Sequence, residues 1–220
     1  MTGMKQLKIT HHLPYGLMMA YSAGNMPEAF NLTIATHIAM CDECRAQLGS
    51  MDAVGGALLE DVDAVKVSDE SFEQTLARIT AIEAEPQEPV APLNSDVPSP
   101  LADYIGGSLK DVRWRSIGMG VKQAILETDG KATARLLYIP AGTSVPDHGH
   151  RGTELTLVLR GAFSDETDRF GPGDIEVANE DLNHTPVADI SGDCICLAAT
   201  DAPLKFNSLI PRLAQRFLRI

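Results

Sequence analysis

No stretch of this sequence approaches the ~20 consecutive apolar residues that a membrane-spanning helix needs. Nothing in the first thirty residues joins a basic start to an apolar run, so no secretory leader is expected and the cytoplasm is the expected location. Basic residues are in deficit, with 18 Lys and Arg against 30 Asp and Glu for a net charge of −12. Such a surface repels phosphate backbones, which argues against direct nucleic-acid binding. Arg212, Arg216 and Arg219 form a small basic cluster near the C-terminus. The acidity is heaviest in residues 1–85, where 5 basic residues face 12 acidic ones. That balance suits a basic protein partner, although a merely soluble surface gives the same count. Cysteine is also sparse, at four residues in two pairs, Cys41/Cys44 and Cys194/Cys196. In a cytosolic chain such pairs point to metal ligation or redox chemistry rather than to structural disulfides. No internal repeat is visible.

What is present is ordinary in bulk and unusual in arrangement. At 220 residues and 44% hydrophobic content the chain can bury two cores of ~80–120 residues each. Between Glu83 and Pro100 lie Pro86, Pro89, Pro92, Pro98 and Pro100. Proline at that density lacks backbone donors and favours extended geometry, so residues 86–110 read as a linker. The expected division is a helical module over 1–85, that linker, a strand-rich module over 111–200 and a basic helical tail over 201–220.

The front module reads as four helices: Pro14 to Ala23, Glu28 to Leu48, Ala53 to Glu60, and Ser68 to Ile82. Phe72, Leu76, Ile79 and Ile82 line one side of the last. Four helices in about 85 residues make a thin core that a metal would help to staple. His37, Cys41 and Cys44 follow an H-x3-C-x2-C pattern inside the second helix, which would put them on one face about a turn apart. One imidazole and two thiolates suit Zn2+, and a structural site takes a fourth ligand, for which His11 and His12 are the nearby candidates.

The back module reads as short strands rich in Val, Ile, Leu and Thr, separated by glycine-containing turns, which points to a sandwich or barrel. The runs are Val112–Leu126, Ala132–Tyr138, Leu155–Leu159, Ala162–Ser164, Asp174–Val177, Thr185–Val187 and Cys194–Ala198. His148 and His150, two apart, face the same side of a strand. Glu154 and His184 complete a set of three imidazoles and a carboxylate that suits a first-row divalent metal. Cys194 and Cys196 also share a strand face, where they read more readily as small apolar residues than as a disulfide.

Two resemblances follow. Gly142-x5-His148-x-His150-x3-Glu154-x6-Gly161 resembles the first cupin motif. Gly171-Pro172-Gly173-Asp174 and His184 resemble the second, with Asn179 and Asp181 where a proline and a glycine are usual. His12 with His37-x3-Cys41-x2-Cys44 resembles the zinc-binding anti-sigma domains. Together the chain resembles the ChrR family of anti-sigma factors over nearly its whole length. The resemblance implies a zinc-stapled helical bundle followed by a cupin (double-stranded β-helix) barrel. It implies zinc on His12, His37, Cys41 and Cys44, with His11 spare. In the cupin it implies a divalent metal on His148, His150, Glu154 and His184, zinc foremost, with manganese or iron as alternatives. The partner it implies is an extracytoplasmic-function sigma factor, held 1:1 and released on exposure to singlet oxygen or organic hydroperoxides. The rival reading is a cupin metalloenzyme, a dioxygenase or isomerase, with an accessory zinc domain.

Overall fold

The computed structural model describes residues 8–82 and 96–206. Five helices come first or flank the join: α1 (Tyr15–Ser22), α2 (Glu28–Met40), α3 (Asp42–Glu60), α4 (Ser71–Ala81) and α5 (Ser99–Ile105). Twelve strands follow: β1 (Arg115–Gly118), β2 (Val121–Leu126), β3 (Thr133–Ile139), β4 (His148–Gly149), β5 (Glu154–Arg160), β6 (Phe163–Ser164), β7 (Arg169–Phe170), β8 (Ile175–Ala178), β9 (Asn183–His184), β10 (Val187–Ala188), β11 (Cys194–Thr200) and β12 (Lys205–Phe206). A six-stranded sheet runs β1-β2-β3-β11-β5-β8, and two three-stranded sheets, β10-β6-β7 and β12-β4-β9, complete the barrel.

The long second helix expected from Glu28 to Leu48 is two helices. Cys41 leaves helical geometry (φ −111°, ψ 107°) and its sulfur accepts a hydrogen bond from the Cys44 amide, so it caps the start of α3. A side chain that caps the next helix stops the previous one. The second of them, α3, runs on past Leu48 through the expected third helix to Glu60. The run expected over Val112–Leu126 likewise divides into β1 and β2. Met119 and Gly120 both take positive φ (52° and 79°), the requirement of a tight two-residue hairpin turn.

The proline-rich stretch contains α5, which the sequence reading did not place. Pro100 sits in its first turn, where a missing amide is harmless, and Gly106 closes it in left-handed geometry (φ 80°). Leu101, Ala102 and Ile105 of α5 are buried, and the helix packs on α2. The helical tail expected over 201–220 does not begin as one, because residues 201–206 are not helical. Lys205 and Phe206 form β12 against β4, so the barrel extends past the expected boundary at 200 because its edge strand β4 needs a partner. The rest of the expected basic helix lies outside the described residues.

Both faces of the large sheet are covered. Every residue of β11 is buried, as expected of a strand with packing on two sides. Ile195, Leu197 and Ala199 look outward and join Leu136, Leu155, Leu157 and Ile175 in one cluster with Phe30, Ile34 and Ile38 of α2. Cys194 and Cys196 look inward with Val158, Phe163 and Phe170. The helical module is therefore seated on the sheet. By contrast α4 buries none of its residues.

Gly161 occupies a left-handed turn (φ 73°), and a Cβ there would run into the Asp193 carbonyl oxygen. Gly161→Ala is therefore expected to destabilise the full chain by more than about 2 kcal/mol. Chemical denaturation checks this, and an unchanged midpoint would contradict the backbone argument.

Candidate metal centres

The break at Cys41 builds the front cluster. It turns the chain so that Cys41, at the hinge, and Cys44, in the first turn of α3, converge on His37 near the end of α2. His37 Nε2 lies 3.2 Å from Cys44 Sγ. His12 Nδ1 lies 3.3 Å from Cys41 Sγ and 3.7 Å from Cys44 Sγ. Sulfur and nitrogen ligands around a tetrahedral zinc sit roughly 3.5 Å apart, given Zn–S and Zn–N bonds of about 2.3 and 2.0–2.1 Å. The four donors lie mutually within 4.8 Å, so their spacing fits zinc. His11 is turned away, 3.2 Å from Asp168 and packed at a tilt against the Phe170 ring.

The outer contacts of these side chains are equally specific. His37 Nδ1 donates to the Gly173 carbonyl at 2.9 Å, which leaves Nε2 free as a donor to a cation. His12 Nε2 lies 3.4 Å from Glu43. Burial lowers the His37 pKa to about 4, so it stays neutral at pH 7. Burial raises the Cys44 thiol to about 11, which means that zinc would have to displace its proton.

The back cluster forms where β4 and β9 pair, with His148 directly opposite His184. His184 Nε2 is 3.2 Å from His148 Nε2 and 3.2 Å from His150 Nε2, so three imidazoles aim at one point. Burial lowers the pKa values of His148 and His150, which favours the neutral rings a cation needs. His148 Nδ1 donates to the Pro146 carbonyl at 2.9 Å. Glu154 stands beside the group rather than within it. Its Oε1 accepts from Thr156 at 2.9 Å, and its Oε2 lies 3.7 Å from His150 Nδ1. Ligation by Glu154 would require its carboxylate to turn.

Asp165 and Glu176 were not anticipated. Asp165 Oδ2 lies 2.8 Å and Glu176 Oε1 3.2 Å from His184 Nδ1, on the far side of the ring from the other histidines. Burial opposes charge on His184, but the two acids outweigh it and raise its pKa to about 9. Burial also raises Glu176 to about 7. Asp165 resists burial through hydrogen bonds with Glu176, Thr167 and His184, which hold it well below the usual carboxylate range. A carboxylate on the outer nitrogen of a ligand histidine fixes its tautomer and strengthens it as a donor. Glu176 was detectable in principle as a carboxylate at an inward position of a strand.

Cys194 and Cys196 lie 3.4 Å apart at their sulfurs and are fully buried. The contact with Cys194 and burial push the Cys196 thiol up, away from the reactive thiolate.

This architecture defines a class: a cupin barrel carrying on its sheet a helical module with a His2Cys2 donor set. The family model described as ChrR cupin-like domain matches residues 104–202. Over 97% of this chain and the whole of the relative, the sequence is 56% identical to the anti-sigma-E factor ChrR of Cereibacter sphaeroides. The crystal structure of Rhodobacter sphaeroides SigE in complex with the anti-sigma ChrR contains a chain 55% identical to this one. It matches 88% of this chain and 100% of that one with a TM-score of 0.79. The chain belongs to the ChrR family of anti-sigma factors. Among the described residues no helix is long and apolar enough to cross a membrane.

Asp165→Ala should weaken metal binding at the cupin histidines by roughly 10- to 100-fold while leaving the front cluster loaded. Competition with a chromophoric chelator on the full chain measures both. Equal affinity in the variant would remove Asp165 from the site.

Proposed function

We propose that this chain holds an extracytoplasmic-function sigma factor in a 1:1 cytoplasmic complex and releases it when singlet oxygen or an organic hydroperoxide acts on the cupin domain. The observation that carries the first half is the uncovered apolar face of α4. Phe72, Ile79 and the adjoining Ile82 are 70%, 60% and 71% exposed, and Leu76 between them is 48% exposed. On α3, Val54, Leu58 and Leu59 are exposed as well. Apolar faces of this extent mark a docking surface for another protein. Their acidic surroundings suit a basic partner, and the sigma-bound state of the relative at 55% identity supports the same reading.

In this reading His12, His37, Cys41 and Cys44 hold Zn2+, which ties the N-terminal segment to the α2–α3 joint and so presents the docking helices. His148, His150 and His184, with Glu154 once turned, hold a divalent metal, zinc by preference over manganese or iron. The metal would supply a Lewis-acidic centre at which an oxidant can coordinate. The chain's own residues provide a direct route between the two sets. His37 is bonded to Gly173 at one end of a four-residue stretch, and Glu176 at its other end touches His184. A change at the barrel can thus reach α2 without passing along the proline-rich segment. To act as a signal it must favour a conformation with lower affinity for the partner.

Two measurements test the two halves. Introducing Phe72→Glu with Ile79→Glu should reduce co-purification with the sigma factor of the same genome by at least about tenfold, since each change would place a charge in an apolar contact. Undiminished binding would rule out α4 as the docking face. The His150→Ala, His184→Ala variant should still bind the sigma factor but fail to release it under photosensitised singlet oxygen or an organic hydroperoxide. Release at the native rate would show that the cupin set is not the sensor.

A further inference from the structure

We infer that the interior of the barrel is a binding site for a compact monocarboxylate, whose head group pairs with Arg135 while its apolar body fills the cavity. The inference stands apart from the sigma-factor reading, because it concerns what the barrel can hold whatever the helices bind.

The cavity measures about 330 Å3, at the lower end of the ~300–1,000 Å3 typical of small-ligand sites. Its walls are largely apolar, with Ile117, Val121, Leu137, Ile139, Phe163 and Phe206 among them. Into this space β3 delivers Arg135, on the same face of the strand as Leu137 and Ile139. Arg135 is only 6% exposed. A buried guanidinium in an apolar cavity ordinarily carries an acid against it, because taking the charge out of water is otherwise strongly unfavourable. Here it does not. Among the described residues its side chain donates to a neutral partner, the Gln123 side-chain oxygen at 3.2 Å, and its Nε meets no acceptor.

Two carboxylates share the cavity, and both are directed elsewhere. Glu154 is held by Thr156 and faces His150, near enough to favour the charge on Arg135 but not in an ion pair with it. Glu176 faces His184. The sheet register also leaves room for a ligand head group. Arg135 on β3 pairs with Ala198 on β11, which pairs with Thr156 on β5. The small Ala198 thus separates the guanidinium from the Thr156 hydroxyl by two strand spacings, about 10 Å, with only a methyl group in between. A carboxylate seated over Ala198 would meet the unsatisfied edge of Arg135 as a charge-assisted, planar match. An aliphatic or aromatic body would extend toward Leu137, Ile139 and Phe163. A neutral isostere gains the apolar contacts but not the ion pair.

The probes are octanoate and its neutral isostere octanamide, titrated into the full-length, metal-loaded chain. Affinity is followed calorimetrically, and the side chain is followed through the Nε–H resonance of Arg135 in 15N-arginine-labelled protein. The expected result is that octanoate binds, octanamide binds roughly 10- to 100-fold more weakly, and only octanoate moves the resonance, which is assigned by its loss in Arg135→Lys. Arg135→Met, close in volume, should bring octanoate down to the affinity of octanamide. If that variant fails to fold, the resonance in the native chain still decides the question. Absence of octanoate binding, equal binding of the two probes, or an unmoved Arg135 resonance would each overturn the inference. So would octanoate binding that persists in Arg135→Met and disappears on chelation, because it would place the carboxylate on the metal instead.

Discussion

The structure depends on one seam, where α2 lies on the outer face of the large sheet. A sheet whose inner face encloses a cavity and whose outer face is apolar cannot leave the second face in water. Leu136, Leu155, Leu157 and Leu197 are fully buried there, each contributing about 1.5–3 kcal/mol relative to exposure. Phe30, Ile34 and Ile38 of α2 supply the matching surface. Because α2 also carries His37, the seam that covers the sheet fixes one side chain of the front cluster against a carbonyl of the barrel. The front cluster is consequently oriented by the barrel and is not a property of the helices alone.

The same seam explains the short turn at Gly173–Asp174. Asp174 accepts hydrogen bonds from the amides of Thr10, at 2.7 Å, and His11, at 2.9 Å, immediately before His12. A side chain at Gly173 would collide with Ile9, whose Cδ1 lies 2.5 Å from where a Cβ would stand. One turn of the barrel therefore positions two of the four converging front side chains: His37 directly and His12 through the backbone that precedes it. The second cupin motif, read from sequence as the approach to a metal ligand, has here a further structural task on the opposite side of the strand. Contiguity of this kind gives a route for coupling. A switch needs in addition two arrangements of the turn with different affinity for the helices.

Much of this was legible in the sequence because metal chemistry constrains spacing tightly. The H-x3-C-x2-C pattern picked out three side chains that converge in the front cluster, and the cupin-like spacing picked out the histidines that meet where β4 and β9 pair. What was misjudged followed from local rules giving way to other constraints. A spacing of four and three suggested one continuous helix, yet Cys41 is needed both as a donor and as the cap of α3, and no unbroken helix provides both. Proline density suggested a linker over 86–110, although Pro98 and Pro100 begin a short helix that the apolar side of α2 is there to receive. The apolar side of the Ser68–Ile82 segment was visible, but sequence periodicity does not distinguish a face that meets a core from one that waits for a partner. Asp165 and Glu176 escaped because their role depends on which nitrogen of His184 faces inward, and that is set by the pairing of short strands far apart in sequence.

Arg135 poses the remaining physical question. Its place in the strand pattern is that of a core residue, between Ala134 and Leu136 on the outer side and in line with Leu137 on the inner. A leucine or methionine there would remove the desolvation penalty and fill part of the cavity, and exchanges of buried charge for apolar volume are frequently neutral or stabilising. Glu154 offers only a partial answer. If its carboxylate turns toward the three histidines to complete a metal site, it turns its charge to the cation and leaves the guanidinium with less compensation than before. Loading the metal and satisfying Arg135 from within the protein are thus competing demands on one carboxylate. An anion from outside relieves that competition, and this is the physical reason to regard the barrel as a site built to be filled.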